Sequence, residues 1–140
     1  MTKRDRERTR MLLGVWGRIP ARCAEIERER EWTLCRLAQA GVPPELANDD
    51  WLTAAEAEQC AWRTLLIELN DELERLALLR ERIDGILSAL GEPQWTIMRL
   101  RYGKGMSYPA IAAKLYYSED RVRHIKSDTD EIIAREIWGP

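Results

Sequence analysis

The side chains with the most informative chemistry lie between residues 107 and 127, where basic residues recur at helical spacing. An arginine can donate two parallel hydrogen bonds to the O6 and N7 atoms of guanine, and basic side chains neutralise phosphates. The residues concerned are Lys114, Arg121, Arg123, His124 and Lys126. Their types and spacing predict a surface that binds double-stranded DNA.

Residue sets typical of catalysis or metal binding are scarce. The single histidine, His124, cannot build a Ser-His-Asp, Cys-His or multi-histidine site within one chain. The three cysteines, Cys23, Cys35 and Cys60, are odd in number and lack C-x-x-C spacing, which argues against a disulfide framework and a zinc site. No glycine motif for phosphate binding is present either. We therefore expect no enzymatic activity, no cofactor and no metal.

The net charge of −2 argues against a nucleic-acid partner until it is divided along the chain. Residues 1–50 hold ten basic and nine acidic residues, residues 51–94 hold four and nine, and residues 95–140 hold eight and six. The stretch from Trp95 to Ser127 has a local net charge of +5. Because binding responds to local charge, an acidic central region followed by a basic region is compatible with DNA binding.

Length and composition indicate a folded, helical chain. Its 140 residues are 45% hydrophobic and 33% charged, and eight Gly and six Pro are few for the turns of an all-β fold. No apolar run approaches the roughly 20 residues of a membrane span, and the first residues lack the apolar stretch of a signal peptide. We expect an all-α protein of the cytoplasm that contacts no membrane.

A predicted helix-turn-helix positions the basic residues. An apolar group at 95–100 forms its first helix, Ser107 is a good N-cap for the second, and Ser118 is a good N-cap for the third, after a short turn at 116–117. The apolar residues expected in the shared core are Ile111, Ala112, Leu115, Val122 and Ile125. We expect a three-helix DNA-binding domain over residues 92–140.

Two long helices are predicted before this domain. The first ends at the breaker sequence of residues 41–44, Gly-Val-Pro-Pro, and the second begins at a capping box formed by Thr53 and Glu56. Apolar residues recur in steps of three and four in both, interrupted once by Arg80. The first set is Leu12, Trp16, Ile19, Cys23, Ile26, Leu34 and Leu37, and the second is Trp62, Leu66, Leu69, Leu73, Leu76, Ile83, Leu87 and Leu90. We expect a coiled-coil-like helical hairpin over residues 1–91.

Two features of this hairpin have alternative interpretations. The hairpin either packs only against itself or also forms a homodimer, and we favour the dimer because two helices cannot bury both apolar faces and six tryptophans unaided. Arg80 would then fix the register of the pair. The basic residues from Lys3 to Arg10 either fray in solvent, which we favour, or form an arm that follows DNA phosphates.

Residues 102–125, YGKGMSYPAIAAKLYYSEDRVRHI, resemble region 4 of bacterial sigma factors. In that family an R-Y-x-x-G-x-S/T-x-x-x-I-A-x-x-L segment precedes an S-x-x-x-V/I-R-x-I recognition helix. With its acidic helical N-terminal part, the chain also resembles small phage-encoded regulators of the ArpU and RinA type, which are implicated in switching on late or packaging genes.

The resemblance implies which side chains contact DNA. Glu119, Asp120, Arg123 and His124 would face bases, Ser118 would lie at the helix start, and the residues nearer the phosphates would be Lys114, Arg121 and Lys126. Tyr108 either donates its hydroxyl to a phosphate or is buried beside the turn. Glu119 is a departure, because sigma factors often have a basic residue there. Its carboxylate either accepts a hydrogen bond from cytosine N4 or only complements the helix dipole.

These observations predict a sequence-specific transcriptional regulator, a late-gene activator of phage or prophage origin. One alternative is a small terminase subunit, which would hold packaging-site DNA with the same motif and assemble as a ring. A second is a protein-interaction module whose region-4-like part contacts RNA polymerase and never touches DNA.

Overall fold

A computed structural model describes residues 2–39 and 49–139. Its helices are α1 (Lys3–Gln39), α2 (Asp49–Leu90), α3 (Glu92–Met98), α4 (Tyr108–Leu115) and α5 (Glu119–Trp138), and a π-helical turn, Arg99–Gly103, directly follows α3. No strand occurs within the described ranges. The predicted all-α class, with two long helices before the shorter helices of a helix-turn-helix, is confirmed.

The chain divides into two compact units, and α1 and α2 each contribute to both. The first unit comprises Met1–Pro20 and Ala77–Pro140, and the second comprises Ala21–Leu76. Pro20 lies inside α1 at this division, and it has no N–H to donate to the carbonyl of the preceding helical turn. The separation of a hairpin at 1–91 from a domain at 92–140 stays a prediction.

Within the second unit the two helices pack antiparallel. Arg22 donates to both carboxylate oxygens of Glu72 at 2.7 and 2.8 Å. Trp32 meets Trp62 edge to face, with ring centroids 5.2 Å apart. From the first pair to the second, the position on α1 rises from 22 to 32 while the position on α2 falls from 72 to 62, as antiparallel packing requires. Few described side chains of this unit are buried, namely Ile26, Thr33, Leu69 and Leu76.

In the first unit, the start of α1 and the end of α2 pack with the three shorter helices. Trp16 of α1 donates to Asp84 of α2 at 2.8 Å and packs edge-on against Trp95 of α3, with centroids 6.2 Å apart. Trp138, at the end of α5, donates to the hydroxyl of Thr9 at 2.9 Å. The first unit is therefore one packed assembly to which all five helices contribute.

The N-terminal residues are ordered, so the expected frayed terminus is wrong. Helix α1 begins at Lys3, and Thr2 and Asp5 cap it reciprocally, with backbone-to-side-chain distances of 3.2 and 3.1 Å. These hydrogen bonds lower the pKa of Asp5 below its usual value. The composition of this segment indicates solvation, whereas its capping residues and its contacts with α5 fix it in place.

The apolar set assigned to α1 also needs two corrections. Leu13, which the set omits, is fully buried, whereas the predicted Leu12 is only partly buried. Leu34 is 44% exposed, and its neighbour Thr33 is buried instead. The Thr33 hydroxyl donates to the carbonyl of Glu29 at 2.6 Å, which satisfies its polar group within the helix. Thr9 is buried in the same way through Asp5. A threonine can therefore take a core position that a hydrophobicity pattern assigns to leucine.

The connection between the two long helices is predicted from a breaker at residues 41–44 and a capping box at Thr53. The breaker at residues 41–44 lies outside the described residues. Helix α2 begins at Asp49, so Thr53 lies within the helix, and the predicted start at a Thr53 capping box is wrong. The predicted end of α2 is confirmed, because α2 stops at Leu90 and Gly91 follows with φ 117°, a value that favours glycine.

Candidate nucleic-acid interface

The helix-turn-helix is held together by apolar side chains from α3, the π-helical turn, α4 and α5. The buried members are Ile97, Leu100, Ile111, Ala112 and Val122. The hydroxyl of Ser107 accepts from the N–H of Ala110 at 3.3 Å, and that of Ser118 accepts from the N–H of Arg121 at 3.1 Å. Both predicted N-caps are confirmed, and Ser118 fixes where α5 begins.

The predicted turn at residues 116–117 is confirmed, and it depends on the backbone conformation of Tyr116. Tyr116 ends α4 with φ 59° and ψ 37°, the left-handed conformation that closes a helix. Its side chain is 95% exposed. Glycine is the usual residue in this conformation, so no glycine signal in the sequence marks the turn.

The first two turns of α5 present an exposed ion pair. Arg123 donates to Oε1 of Glu119 through Nη2 at 2.7 Å and through Nε at 3.3 Å. Their side chains are 53% and 44% exposed, respectively. The hydrogen bonds to Glu119 raise the pKa of Arg123 above its ordinary value. The structure thus joins two residues predicted to face bases in one exposed ion pair.

Tyr108, at the start of α4, packs its ring against the guanidinium of Arg123 in that ion pair. Its half-buried ring packs against the helix-turn-helix core. The guanidinium carbon of Arg123 lies 4.4 Å from the ring centroid, and that of Arg101 lies 4.3 Å from it. Arg101 also donates to the carbonyl of Met106 at 3.0 Å. Sequence analysis counted Arg101 only as part of the basic stretch and missed this stacking role.

Other predicted contact residues lie on the surface around α5. Arg121 is exposed and stacks over Tyr117, 4.1 Å from the ring centroid. His124 lies 3.2 Å from Asp128, and both side chains are largely exposed. Asp120 and Lys114 are also exposed. The structure therefore places these side chains where a ligand can reach them.

Lys126 differs from the other predicted contact residues, because it points into the first unit. Its ammonium lies 2.6 Å from Asp130, and the two side chains are only 12% and 14% exposed. The hydroxyl of Tyr102 lies 3.1 Å from both oxygens of Asp130, and the Tyr102 ring centroid lies 5.3 Å from the Lys126 nitrogen. This Tyr102–Lys126–Asp130 cluster joins the π-helical turn to the middle of α5, so Lys126 is not part of the exposed basic surface of that helix.

The surroundings of the cluster shift its protonation equilibria. Burial and the negative charge of Asp130 raise the pKa of Tyr102 to about 12. Burial alone would lower the pKa of Lys126, but the hydrogen bond and charge of Asp130 outweigh it and raise that pKa. At neutral pH the lysine therefore stays charged and the phenol stays protonated.

Helix α1 supports the same region from the other side. A Cβ atom added to Gly17 would lie 2.2 Å from the carbonyl oxygen of Tyr102, so only glycine allows this approach of two backbones. Arg6 lies 3.4 Å from Glu131 of α5. The basic N-terminal residues thus belong to the packed first unit rather than to a separate arm.

The described residues contain neither a metal-binding cluster nor a membrane-spanning helix. They contain no cluster of three or more His, Cys, Asp or Glu side chains that could hold a metal ion. No helix in the described ranges has both the length and the apolar character needed to cross a membrane.

Comparison with known proteins gives a family match for one part of the chain, the helix-turn-helix. No curated protein and no solved structure gave a significant match. A family model described as "Sigma-70, region 4" matches residues 86–129, from the end of α2 to the middle of α5. This match covers less than half of the chain. Residues 86–129 therefore form a helix-turn-helix similar to region 4 of sigma factors.

Proposed function

We propose that this protein is a sequence-specific DNA-binding transcriptional regulator. The observation that carries the proposal is the match of residues 86–129 to sigma region 4, in a segment folded as a capped helix-turn-helix. In such motifs the first turns of the second helix of the pair enter the major groove, and α5 occupies that position. Its exposed Arg121 and Arg123 have the chemistry to contact phosphates and bases.

The finer part of the proposal is a phage or prophage late-gene activator that works in the cytoplasm. Its support is the resemblance to ArpU and RinA regulators, in which an acidic helical part precedes a region-4-like motif. The family match has no bearing on residues before 86. Expression of genes placed behind a selected binding site, with and without the protein, would distinguish activation from repression.

We propose further that the N-terminal helices form a homodimer. The second unit has few buried side chains, and it leaves Trp32 and Ile67 50% and 60% exposed. A second copy would cover such surface. Light scattering should give the mass of two chains, whereas a ring of many chains would favour the small terminase subunit.

Selection of bound fragments from random DNA, followed by binding measurements at several salt concentrations, tests the main proposal. Log K falls as log salt rises, and removing one phosphate contact should decrease the magnitude of this negative slope by about 0.9. We expect Arg121→Ala and Lys114→Ala each to show that decrease. Arg63→Ala removes an exposed cation from the second unit and serves as the matched control. Absence of binding even at low salt would refute the proposal.

RNA polymerase is a second candidate partner, because the matched family is that of a sigma factor segment. Reversing the charges of Arg121 and Arg123 separates the two functions. Loss of DNA binding with polymerase binding retained would show that these arginines serve DNA. Polymerase binding in a protein that selects no DNA would favour the interaction module.

A further inference from the structure

In the Glu119–Arg123 ion pair at the start of α5, some of the hydrogen-bonding atoms are paired and others are not part of the pair. All close contacts between the two side chains involve Oε1 of Glu119. On the arginine side, Nε and Nη2 donate at 3.3 and 2.7 Å. The carboxylate therefore occupies one edge of the guanidinium, the edge formed by Nε and Nη2.

A guanidinium has five N–H donors in a fixed plane. Two of them are directed to Glu119, which leaves both protons of Nη1 and one of Nη2. These remaining donors form the end of the fork, and that end can bind two acceptors side by side. The O6 and N7 atoms of guanine are such a pair of acceptors in the major groove.

The ring of Tyr108 restricts the same guanidinium in a second direction. Arg123 lies 4.4 Å above the ring centroid, and the ring itself is held by core packing and by its contact with Arg101 at 4.3 Å. A flexible arginine loses rotamer entropy when it binds a base, and contacts that hold it beforehand reduce this loss. Two different contacts thus fix both the edge and the plane of Arg123.

We propose that Glu119 and Tyr108 are positioning residues, which hold Arg123 so that its Nη1/Nη2 end faces a guanine in the major groove. This inference rests on the proposed DNA-binding function and deepens it. The carboxylate of Glu119 then does not contact cytosine, and it has a role beyond complementing the helix dipole. It offsets the charge of Arg123, so the pair adds base preference more than general attraction to phosphate.

Asp120 provides a matched control for Glu119. It is the next residue, it is exposed and it has the same charge, but Arg123 donates its side-chain hydrogen bonds to Glu119. Removing either carboxylate removes one negative charge near the phosphates, so both variants should bind random DNA more tightly. Only Glu119→Ala should release Arg123.

The experiment measures binding of the full chain to the selected site and to versions with each of the other bases at every position. We expect Arg123→Ala to abolish the preference for guanine at one position. Glu119→Ala should reduce the preference at that same position about tenfold. Asp120 is itself predicted to face bases, so Asp120→Ala should alter base preference only at other positions of the site. The double variant Glu119→Ala with Arg123→Ala should lose no more preference than Arg123→Ala alone.

Tyr108 is tested by a conservative pair of variants. Tyr108→Phe keeps the ring and should keep the guanine preference, whereas Tyr108→Leu should reduce it. Thermal melting of each variant checks that the helix-turn-helix stays folded at the binding temperature. A uniform loss of affinity in Tyr108→Phe, across all sequences, would instead assign the hydroxyl to a phosphate and overturn its positioning role.

The outcomes separate this inference from the function on which it rests. If the unmodified protein selects no DNA sequence, both the proposed function and the guanine assignment fail. If it selects a site and Glu119→Ala keeps the full guanine preference at the position that Arg123 reads, only the positioning role fails.

Discussion

Two ion pairs on the same helix have the same spacing and nearly the same length, yet they differ in environment. Glu119 and Arg123 lie 2.7 Å apart in the first turns of α5, where both are about half exposed. Lys126 and Asp130 lie 2.6 Å apart in the middle turns, with exposures of only 12% and 14%. Helix α5 therefore changes from a ligand-accessible surface to a packed support within two turns.

This difference shows that a count of charged residues overstates the charge available to a ligand. Lys126 contributes to the +5 stretch in the sequence, but its charge is neutralised by Asp130 inside the first unit. Exposed pairs contribute little to folding and can exchange partners. Partly buried pairs are costly to break, because the remaining charge loses its compensation.

Breaking the two pairs should give the largest contrast in stability. Lys126→Met removes the ammonium that lies 2.6 Å from Asp130 and leaves the carboxylate with the Tyr102 hydroxyl and the charge of Arg10. We expect a loss of about 3 kcal/mol in the free energy of unfolding. Arg123→Met leaves the exposed Glu119 in solvent and should cost much less stability than Lys126→Met. Urea denaturation measures both.

The double variant Lys126→Met with Asp130→Asn supplies the control for this contrast. Removing both charges should recover much of the stability lost in Lys126→Met, because no uncompensated charge remains. Equal losses in Lys126→Met and Arg123→Met would contradict the distinction between a supporting and an accessible pair.

The next largest change in stability should come from the close contact between Gly17 of α1 and the Tyr102 backbone. Gly17→Ala places a Cβ against the Tyr102 carbonyl, where neither backbone can move aside, and should destabilise the protein by about 2–3 kcal/mol. Gly14→Ala, on the same helix with open space around it, should stabilise it by about 0.5–1 kcal/mol. Thermal melting of the two variants gives the comparison, and shifts of the same sign would contradict the close approach.

The sequence predicts local structure well where one residue determines it. Ser107 and Ser118 cap their helices because each hydroxyl needs only a nearby N–H, and Gly91 ends α2 because the residue there adopts a positive φ. The apolar spacing of α4 and α5 likewise predicts their common core, from Ile111 to Val122. These features involve contacts within a few residues or a single periodic pattern.

The remaining features depend on residues distant in sequence. Nothing near Lys126 indicates that Tyr102, on another element, completes its surroundings. The N-terminal part of α1 is likewise held by residues far along the chain, because Thr9 binds Trp138 and Arg6 pairs with Glu131. The stacking of Arg123 on Tyr108 requires two helices to be placed first. Side-chain direction at a site is therefore a tertiary property, even where the helix is predicted correctly.

A smaller effect should appear at alkaline pH. The pKa of Tyr102 is raised from 10.0 to about 12 in the folded protein, so its contribution to stability is complete below pH 10 and is lost as the pH rises through about 12. The rise in the pKa of Lys126 acts in the same direction. Tyr102→Phe should therefore show a shallower decrease in stability over this range. Tyr116→Phe changes a phenol that is 95% exposed and should leave the profile unchanged.

The smallest expected effect separates the two roles that Glu119 has in the folded protein without DNA. Glu119→Ala removes both its favourable position at the helix N-terminus and its pair with Arg123, whereas Asp120→Ala removes only the former. Glu119→Ala should lose slightly more stability than Asp120→Ala, and this difference should disappear at high salt, because exposed pairs are screened. Urea denaturation at low and high salt measures it. A difference that persists at high salt would place this pair with Lys126 and Asp130, among the contacts that support the fold, and would remove the distinction between the two parts of α5.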